Sequence, residues 1–94
     1  NFGRAWLKGA DLTGAILKGV DLMRADLSGA DLTGADLSRA ILIGASLIEA
    51  NLQDADLTGA DLSWATLYLA NLSDTNLFGA ILRGTTMPDN KLHN

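Results

Sequence analysis

The sequence predicts an all-β chain that changes direction every five residues and stacks coil upon coil around a narrow aliphatic core. Three observations predict it. Leu occupies every fifth position from Leu7 to Leu82, without an inserted or deleted residue. Two residues before each Leu stands a small residue, which is Ala at fourteen of the sixteen positions from Ala5 to Ala80, with Val20 and Thr75 the exceptions. After Leu come Ser, Thr or a variable residue and then often Gly, as at Gly9, Gly14, Gly19, Gly29 and Gly34. Repetition at a fixed period is the mark of a chain built from one unit stacked on itself.

Each letter of the unit has a mechanical reason. Ala and Leu are good helix formers, so an amphipathic helix is the rival reading. The spacing rejects it: at about 100° per residue, five residues carry each Leu roughly 140° round the axis, and no apolar stripe forms. Nor can a straight strand use the pattern, because an odd period sends successive Leu to opposite faces. A chain that bends every five residues can, since Ala and Leu, two apart, point the same way across a short extended stretch. Between them sits mostly Asp or Asn, as at Asp11, Asp21, Asp26, Asp31, Asp36, Asn51, Asp56, Asp61, Asn71 and Asn76. Asp and Asn bond nearby backbone groups and tolerate unusual backbone angles, while Gly, Ser and Thr fit corners. Coils stacked at about 4.8 Å then pair their backbones and bury continuous Leu and Ala ladders.

Units such as "ADLSG", "ADLTG", "ADLSR", "ANLQD" and "ANLSD" match A-(D/N)-L-x-x, and the chain closely resembles the pentapeptide repeat family over nearly its whole length. The resemblance implies a right-handed quadrilateral β-helix with four units, hence twenty residues, per coil, and so about four coils here. Inward Leu and Ala are part of the same implication. Columns at twenty residues agree with it: Asp11 with Asp31, Asn51 with Asn71, Gly14 with Gly34, Asp54 with Asp74, and Arg4 with Arg24. The closing segment is similar to endings of cyanobacterial members, which points to such a source.

Departures from the unit are expected to carry meaning. Ile16, Ile41 and Ile81 replace the acid, as do Trp6, Ser46 and Thr66, and Phe2 and Met87 replace the inward Leu near the two ends, where large residues can plug the coil. The pattern is lost after Met87, and Pro88 with Asp89 and Asn90 reads as a turn. The expected organisation is a repeat β-helix over 1–87 and a short irregular C-terminal turn and tail over 88–94, frayed beyond about residue 90.

Composition narrows the function classes. Ninety-four residues suit one domain, with 48% hydrophobic but only 5% aromatic content. The chain has no Cys, so neither a disulfide framework nor a thiolate metal site is available. No apolar run approaches the roughly twenty residues of a membrane-spanning helix. Eleven acids against seven bases, a formal charge of −4, disfavour direct nucleic-acid binding and mildly favour basic partners. Residue 1 is Asn rather than Met, so a trimmed piece is expected. A cytoplasmic location is favoured, with a lumenal or periplasmic one the alternative if a leader was removed.

No catalytic constellation is visible. His93 is the single His and lies in the expected tail. Stacked acids, Asp11 with Asp31 and Asp36 with Asp56, could recruit a cation, yet each carboxylate is better explained as bonding its own corner. Neither the calcium-binding Gly/Asp nonapeptide nor a phosphate-binding Gly motif occurs. The expectation is no enzyme, no cofactor and no metal.

Outward positions are where the chain is individual. On a four-sided coil Ile41, Ile43, Ile48, Trp64, Tyr68 and Leu69 gather round one edge, and an apolar patch holding Trp and Tyr marks an interface. A non-catalytic protein-binding or scaffold module, a stiff rod with flat faces, is the first functional reading. It implies a protein partner, no membrane, and a monomer or weak self-association. The second comes from the family resemblance: some members act as acidic duplex-DNA mimics on a type II topoisomerase of the DNA gyrase kind, and here Asp11, Asp31, Asp54 and Asp74 line one face. The third is a structural spacer cut from a longer repeat protein.

Overall fold

The structure is a computed structural model that describes residues 6–93; Phe2, the expected plug, lies outside the described residues, as do Arg4 and Ala5, and His93 is described by its backbone alone. Parallel bridges join residues twenty apart along the molecule, from Trp6 with Asp26 and Asp11 with Asp31 to Asp61 with Ile81 and Thr66 with Thr86. Turns recur every five residues, so four extended stretches and four turns fill each span of twenty. The stacked, parallel, regularly turning chain is a β-helix.

Hydrogen bonding explains the unit residue by residue. In residues 31–35, the Asp31 N–H donates back to the Ala10 carbonyl (2.9 Å), while the N–H groups of Leu32 and Gly34 donate onward to the carbonyls of Asn51 (2.7 Å) and Gln53 (2.9 Å). Ala35 closes the turn by donating to the Leu32 carbonyl (3.0 Å). One N–H remains, that of Thr33, and the Asp31 carboxylate accepts it (3.1 Å). Asp or Asn is therefore the residue that takes the single donor the stacked backbone cannot reach. Its tolerance of odd backbone angles, invoked from the sequence, is not used at this position but is used at Asp54, Asp74 and Asn90. Positive φ falls instead on the second residue after Leu, the third of each turn, where a type II turn requires it.

The extended stretches are too short to register as strands. Among the described residues only β1 (Thr85–Thr86) and β2 (Leu92–His93) qualify, and they pair antiparallel, Thr85 with His93 and Thr86 with Leu92. Here the structure departs from the frayed tail expected of the sequence. The Met87 N–H donates to the Lys91 carbonyl (2.8 Å), the Asn90 N–H to the Met87 carbonyl (2.8 Å), and Asn90 adopts φ 67°. The Pro88 turn thus reverses the chain and lays it along the last coil.

The core is a double ladder. Leu22 to Leu67 and Ala25 to Ala70, at five-residue intervals, are buried. Thr85, in an Ala position, is buried too, its hydroxyl donating to the Leu62 carbonyl (2.6 Å), and Thr75 does the same to Leu52 (2.7 Å). Toward the two ends burial weakens: Leu7, Leu12, Leu17, Leu72, Leu77 and Leu82 are only half-buried, and Met87 packs against the core without sealing it. The molecule measures 29 × 25 × 23 Å, so it is a squat block and not the rod expected. Each span of twenty residues rises only about 4.8 Å, so the stack is scarcely taller than it is wide.

Leu42→Ala and Leu47→Ala are expected to lower stability by about 2 to 5 kcal/mol in denaturant titration, since each leaves a hole in the ladder. Ala45→Leu overfills the same ladder and should cost about 1 to 3 kcal/mol. Ser38→Ala removes one exposed-side hydroxyl contact and should cost about 0.5 kcal/mol. Equal effects at all four positions would refute the inward assignment.

Candidate functional site

The twenty-residue columns place every outward residue singled out in the sequence. Ile41 lies between Asp21 and Asp61, and Ile81 follows Asp61. Ile43 stands above Met23, whose neighbour Arg24 donates its N–H to the Ile43 carbonyl (2.8 Å), and Ile48 stands below Tyr68, linked by the Glu49 N–H and the Tyr68 carbonyl (2.9 Å). Ile41, Ile43 and Ile48 are half-buried, and Trp64, Tyr68 and Leu69 are exposed. Ile41 and Ile43 flank inward Leu42; Ile48 lies one unit on, across the Gly44 corner.

Trp64 and Leu69 stand at successive corners with φ 62° and 61°. Among the described residues nine other corners carry Gly, and the remaining ones Arg, Glu or Asp. A bulky residue in the left-handed region is strained, and these two are nonetheless 62% and 55% exposed. Trp64 covers Gly84, where an added Cβ would come within 2.3 Å of the ring. The Arg83 guanidinium carbon is 6.0 Å from the ring centroid, at the outer limit of a cation–π contact. Gly84 is thus required twice, by its φ of 67° and by the ring above it.

The acids divide differently. Asp11 bridges Asp31, and the column continues as Asn51 and Asn71, whose side-chain amides bond one another (3.3 Å). Asp54 and Asp74 stand at the adjoining corner, the Asp54 N–H donating to the Ser73 carbonyl (3.0 Å). The stacked pair Asp36 and Asp56 is also present. Every one of Asp11, Asp31, Asp36 and Asp56 accepts the N–H two residues on. Among the described residues no group of three acids, His or Cys is arranged to hold a metal ion.

These caps shift acidity. The hydroxyl and then the N–H of Thr33 hold the Asp31 carboxyl below its ordinary range, Ser38 does the same for Asp36, and the Ser28 N–H leads for Asp26. A depressed carboxylate stabilises the fold above the ordinary aspartate range, and that contribution is lost as pH falls through the depressed value.

Features outside the repeat reading also emerge. Ile16 and Phe78 are 84% and 79% exposed, and Leu92 on β2 is 60% exposed. The contact of Trp64 with Arg83 and Gly84 spans nineteen and twenty residues, but spacing alone does not reveal it. Leu92 gave no signal, because it stands beyond the repeat. At the opposite end a wholly apolar cavity of about 90 Å³ is lined by Leu7, Leu12, Leu17 and Leu22.

Replacing Asp26, Asp31 and Asp36 together by Asn keeps an acceptor at each corner, as Asn51, Asn71 and Asn76 do. The melting temperature should change little at pH 7 but fall less steeply than wild type on acidification below about pH 4. Parallel curves for the two proteins would show that the caps do not govern acid sensitivity. Gly84→Ala should push the Trp64 ring off its seat, shifting its emission to the red in a Trp6→Phe background and costing about 1 kcal/mol or more. Unchanged emission would place the ring elsewhere.

The comparisons with known proteins agree with this geometry. Residues 5–44 and 45–84 match the family described as pentapeptide repeats, in 8 copies. A pentapeptide repeat protein from the cyanobacterium Cyanothece 51142 is 38% identical, with TM-score 0.82, covering 95% of this chain and 57% of its own. One from Nostoc PCC 7120 is 46% identical, with TM-score 0.80 and coverage of 83% and 64%. A third, from the Arabidopsis thaliana thylakoid lumen, is 37% identical, with TM-score 0.75 and coverage of 86% and 60%. The chain therefore spans 57%, 64% and 60% of the length of these structures. No curated protein matches the chain. Its five-residue unit, its stacked columns and these matches establish that the chain belongs to the pentapeptide repeat family.

Proposed function

We propose that the chain is a non-catalytic protein-binding or scaffold module: a right-handed, four-sided β-helix of about four coils that presents flat outer faces to a protein partner. The observation that carries this reading is the pair of exposed apolar corners. Trp64 and Leu69 accept left-handed backbone strain that Gly avoids at nine other described corners, and alone among the described corners they do so with large apolar side chains, neither of which adds to the buried core. Strain of this kind persists where surroundings or function demand it. Tyr68 lies between the two in sequence and is also exposed. Together the three supply the aromatic, rigid surface typical of protein interfaces.

A second reading has its own observation. The columns of Asp11, Asp31, Asp54 and Asp74 contain no Lys or Arg, so their charge of −4 equals that of the whole chain. Such a face suits a basic partner, as an acidic duplex-DNA mimic acting on a type II topoisomerase would require.

Affinity capture from a cyanobacterial lysate, at low and high salt, separates the two. The scaffold reading expects a salt-resistant partner that Trp64→Glu loses, with circular dichroism and melting unchanged. Capture abolished by salt but indifferent to Trp64→Glu would assign binding to the acidic face, because exposed charges are screened within about 8 Å at physiological ionic strength.

A further inference from the structure

The backbone bonds between coils differ in the two directions along the stack. Within each side, the residue before Leu donates its N–H back to the preceding coil, whereas Leu and the corner residue donate theirs onward, as Asp31, Leu32 and Gly34 do. Toward the N-terminus a side therefore offers one N–H and two carbonyls, and toward the C-terminus two N–H groups and one carbonyl. Inside the stack these sets match, and the two ends keep what is left over. Among the described residues nothing accepts the N–H groups of Leu72, Asp74, Leu77, Gly79, Leu82 and Gly84 at the C-terminal end, where the free carbonyls are those of Ala70, Thr75 and Ala80. At the N-terminal end the proportions reverse. The carbonyls of Asp11, Thr13, Ile16 and Lys18 accept nothing among the described residues, against the two N–H groups of Asp11 and Ile16. Unlike ends are thus complementary, donor for acceptor, and like ends are not.

Surface chemistry singles out the same two places. Large exposed apolar side chains stand at Trp6, Ile16 and Met23 and then not again until Trp64. Charge has the opposite distribution. Residues 26–66 hold seven acids and one base, whereas 6–25 hold two acids and three bases, and 67–86 one of each. The inward Leu7, Leu12, Leu17 and Leu22 line an apolar cavity at one end, and Leu72, Leu77 and Leu82 are left half-buried at the other. One end set upon the other therefore buries apolar surface without bringing strong like charges together.

One element stands in the way. Thr86 pairs with Thr66 on one edge and with Leu92 on the other, so β2 lies where a further coil would run. The turn is fastened there as well, the Leu69 N–H donating to the Pro88 carbonyl (3.1 Å). The sides of Leu72, Leu77 and Leu82 stay open. We infer that the hairpin of β1 and β2 is a removable stop on self-assembly: the C-terminal end of the stack is a docking surface for the N-terminal coil of a second copy, and β2 holds one of its sides closed. The joint uses the backbone bonds that already join coil to coil within the chain. Its occupant must bend every five residues and present an excess of carbonyls, and the N-terminal coil of this chain does both. This surface is separate from the Trp64 edge, and the scaffold reading is not needed for it.

The test releases the stop and then blocks one end at a time. Leu92→Pro in the full chain disrupts the pairing of β2, and deletion of residues 88–94 removes β2 altogether. Both are compared with wild type by sedimentation equilibrium over a concentration series, with circular dichroism to follow the coil. Expected are a monomeric wild type and variants that assemble into dimers and longer species with a native spectrum. Direction is read in the Leu92→Pro background, where Leu12→Glu puts a charge into the N-terminal cavity and Leu77→Glu puts one at the C-terminal end. Each blocked protein alone should stay monomeric, and an equal mixture should form a dimer and nothing larger, since one open end of each kind remains. Association of either blocked protein alone would assign the contact to like ends or to the Trp64 edge and overturn the inference. Monomers in both released variants, no dimer in the mixture, or a wild type that associates as fully as Leu92→Pro would each overturn it too. Should Leu92→Pro alone lose the native spectrum, the blocks are placed in the deletion; loss in both would make β2 part of the fold and not a stop, which equally overturns it.

Discussion

Everything in this molecule depends on satisfying five backbone donors in five residues without a strand or a helix. Stacking at twenty residues satisfies three of them through neighbouring coils, and the turn satisfies a fourth. The fifth points outward, and wherever Asp or Asn precedes the inward Leu its side chain meets it. That requirement accounts for Asp or Asn before the inward Leu, while the turn after Leu places its third residue in the left-handed region that Gly fills at nine of the described corners. Leu and Ala ladders then follow as the residues that fit the space the backbone encloses.

Because the requirement is local, it can be waived one unit at a time. Ile16, Ile41 and Ile81 abandon the cap and leave their neighbours intact, since each coil is pinned by the units around it. A repeat chain thus separates the residues that build it from those that differentiate it. Inward positions are nearly invariant along the sequence, while outward ones collect Trp64, Tyr68 and Leu69 on one edge and the acids of the Asp11 column on another. The two candidate surfaces do not compete, because they are carried by different columns.

Much of this was legible in the sequence, and the reasons are physical. A period of five excludes helix and strand, and the inward Leu and Ala follow from spacing alone. The offset of twenty came with the family resemblance, for five residues per side say nothing of how many sides close a coil. Once that offset is granted, the placement of Ile43, Ile48, Trp64 and Tyr68 and the stacking of Asp11 on Asp31 can be written down. Other features were hidden. The seat of Trp64 on Gly84 needs the direction in which a left-handed corner aims its side chain. Pairing of Leu92–His93 with Thr85–Thr86 lies beyond the repeat, where no periodic signal reaches. Squat proportions follow from the small rise per coil, which the word solenoid obscures.

The antiparallel pairing of β2 with β1 gives the stack a polarity at its surface. Every other pairing among the described residues is parallel, so a molecule meeting the β1 edge finds it already occupied by a strand running the wrong way for continuation. Edge-to-edge growth, the hazard of any exposed ladder, is refused along that stretch by direction rather than by charge.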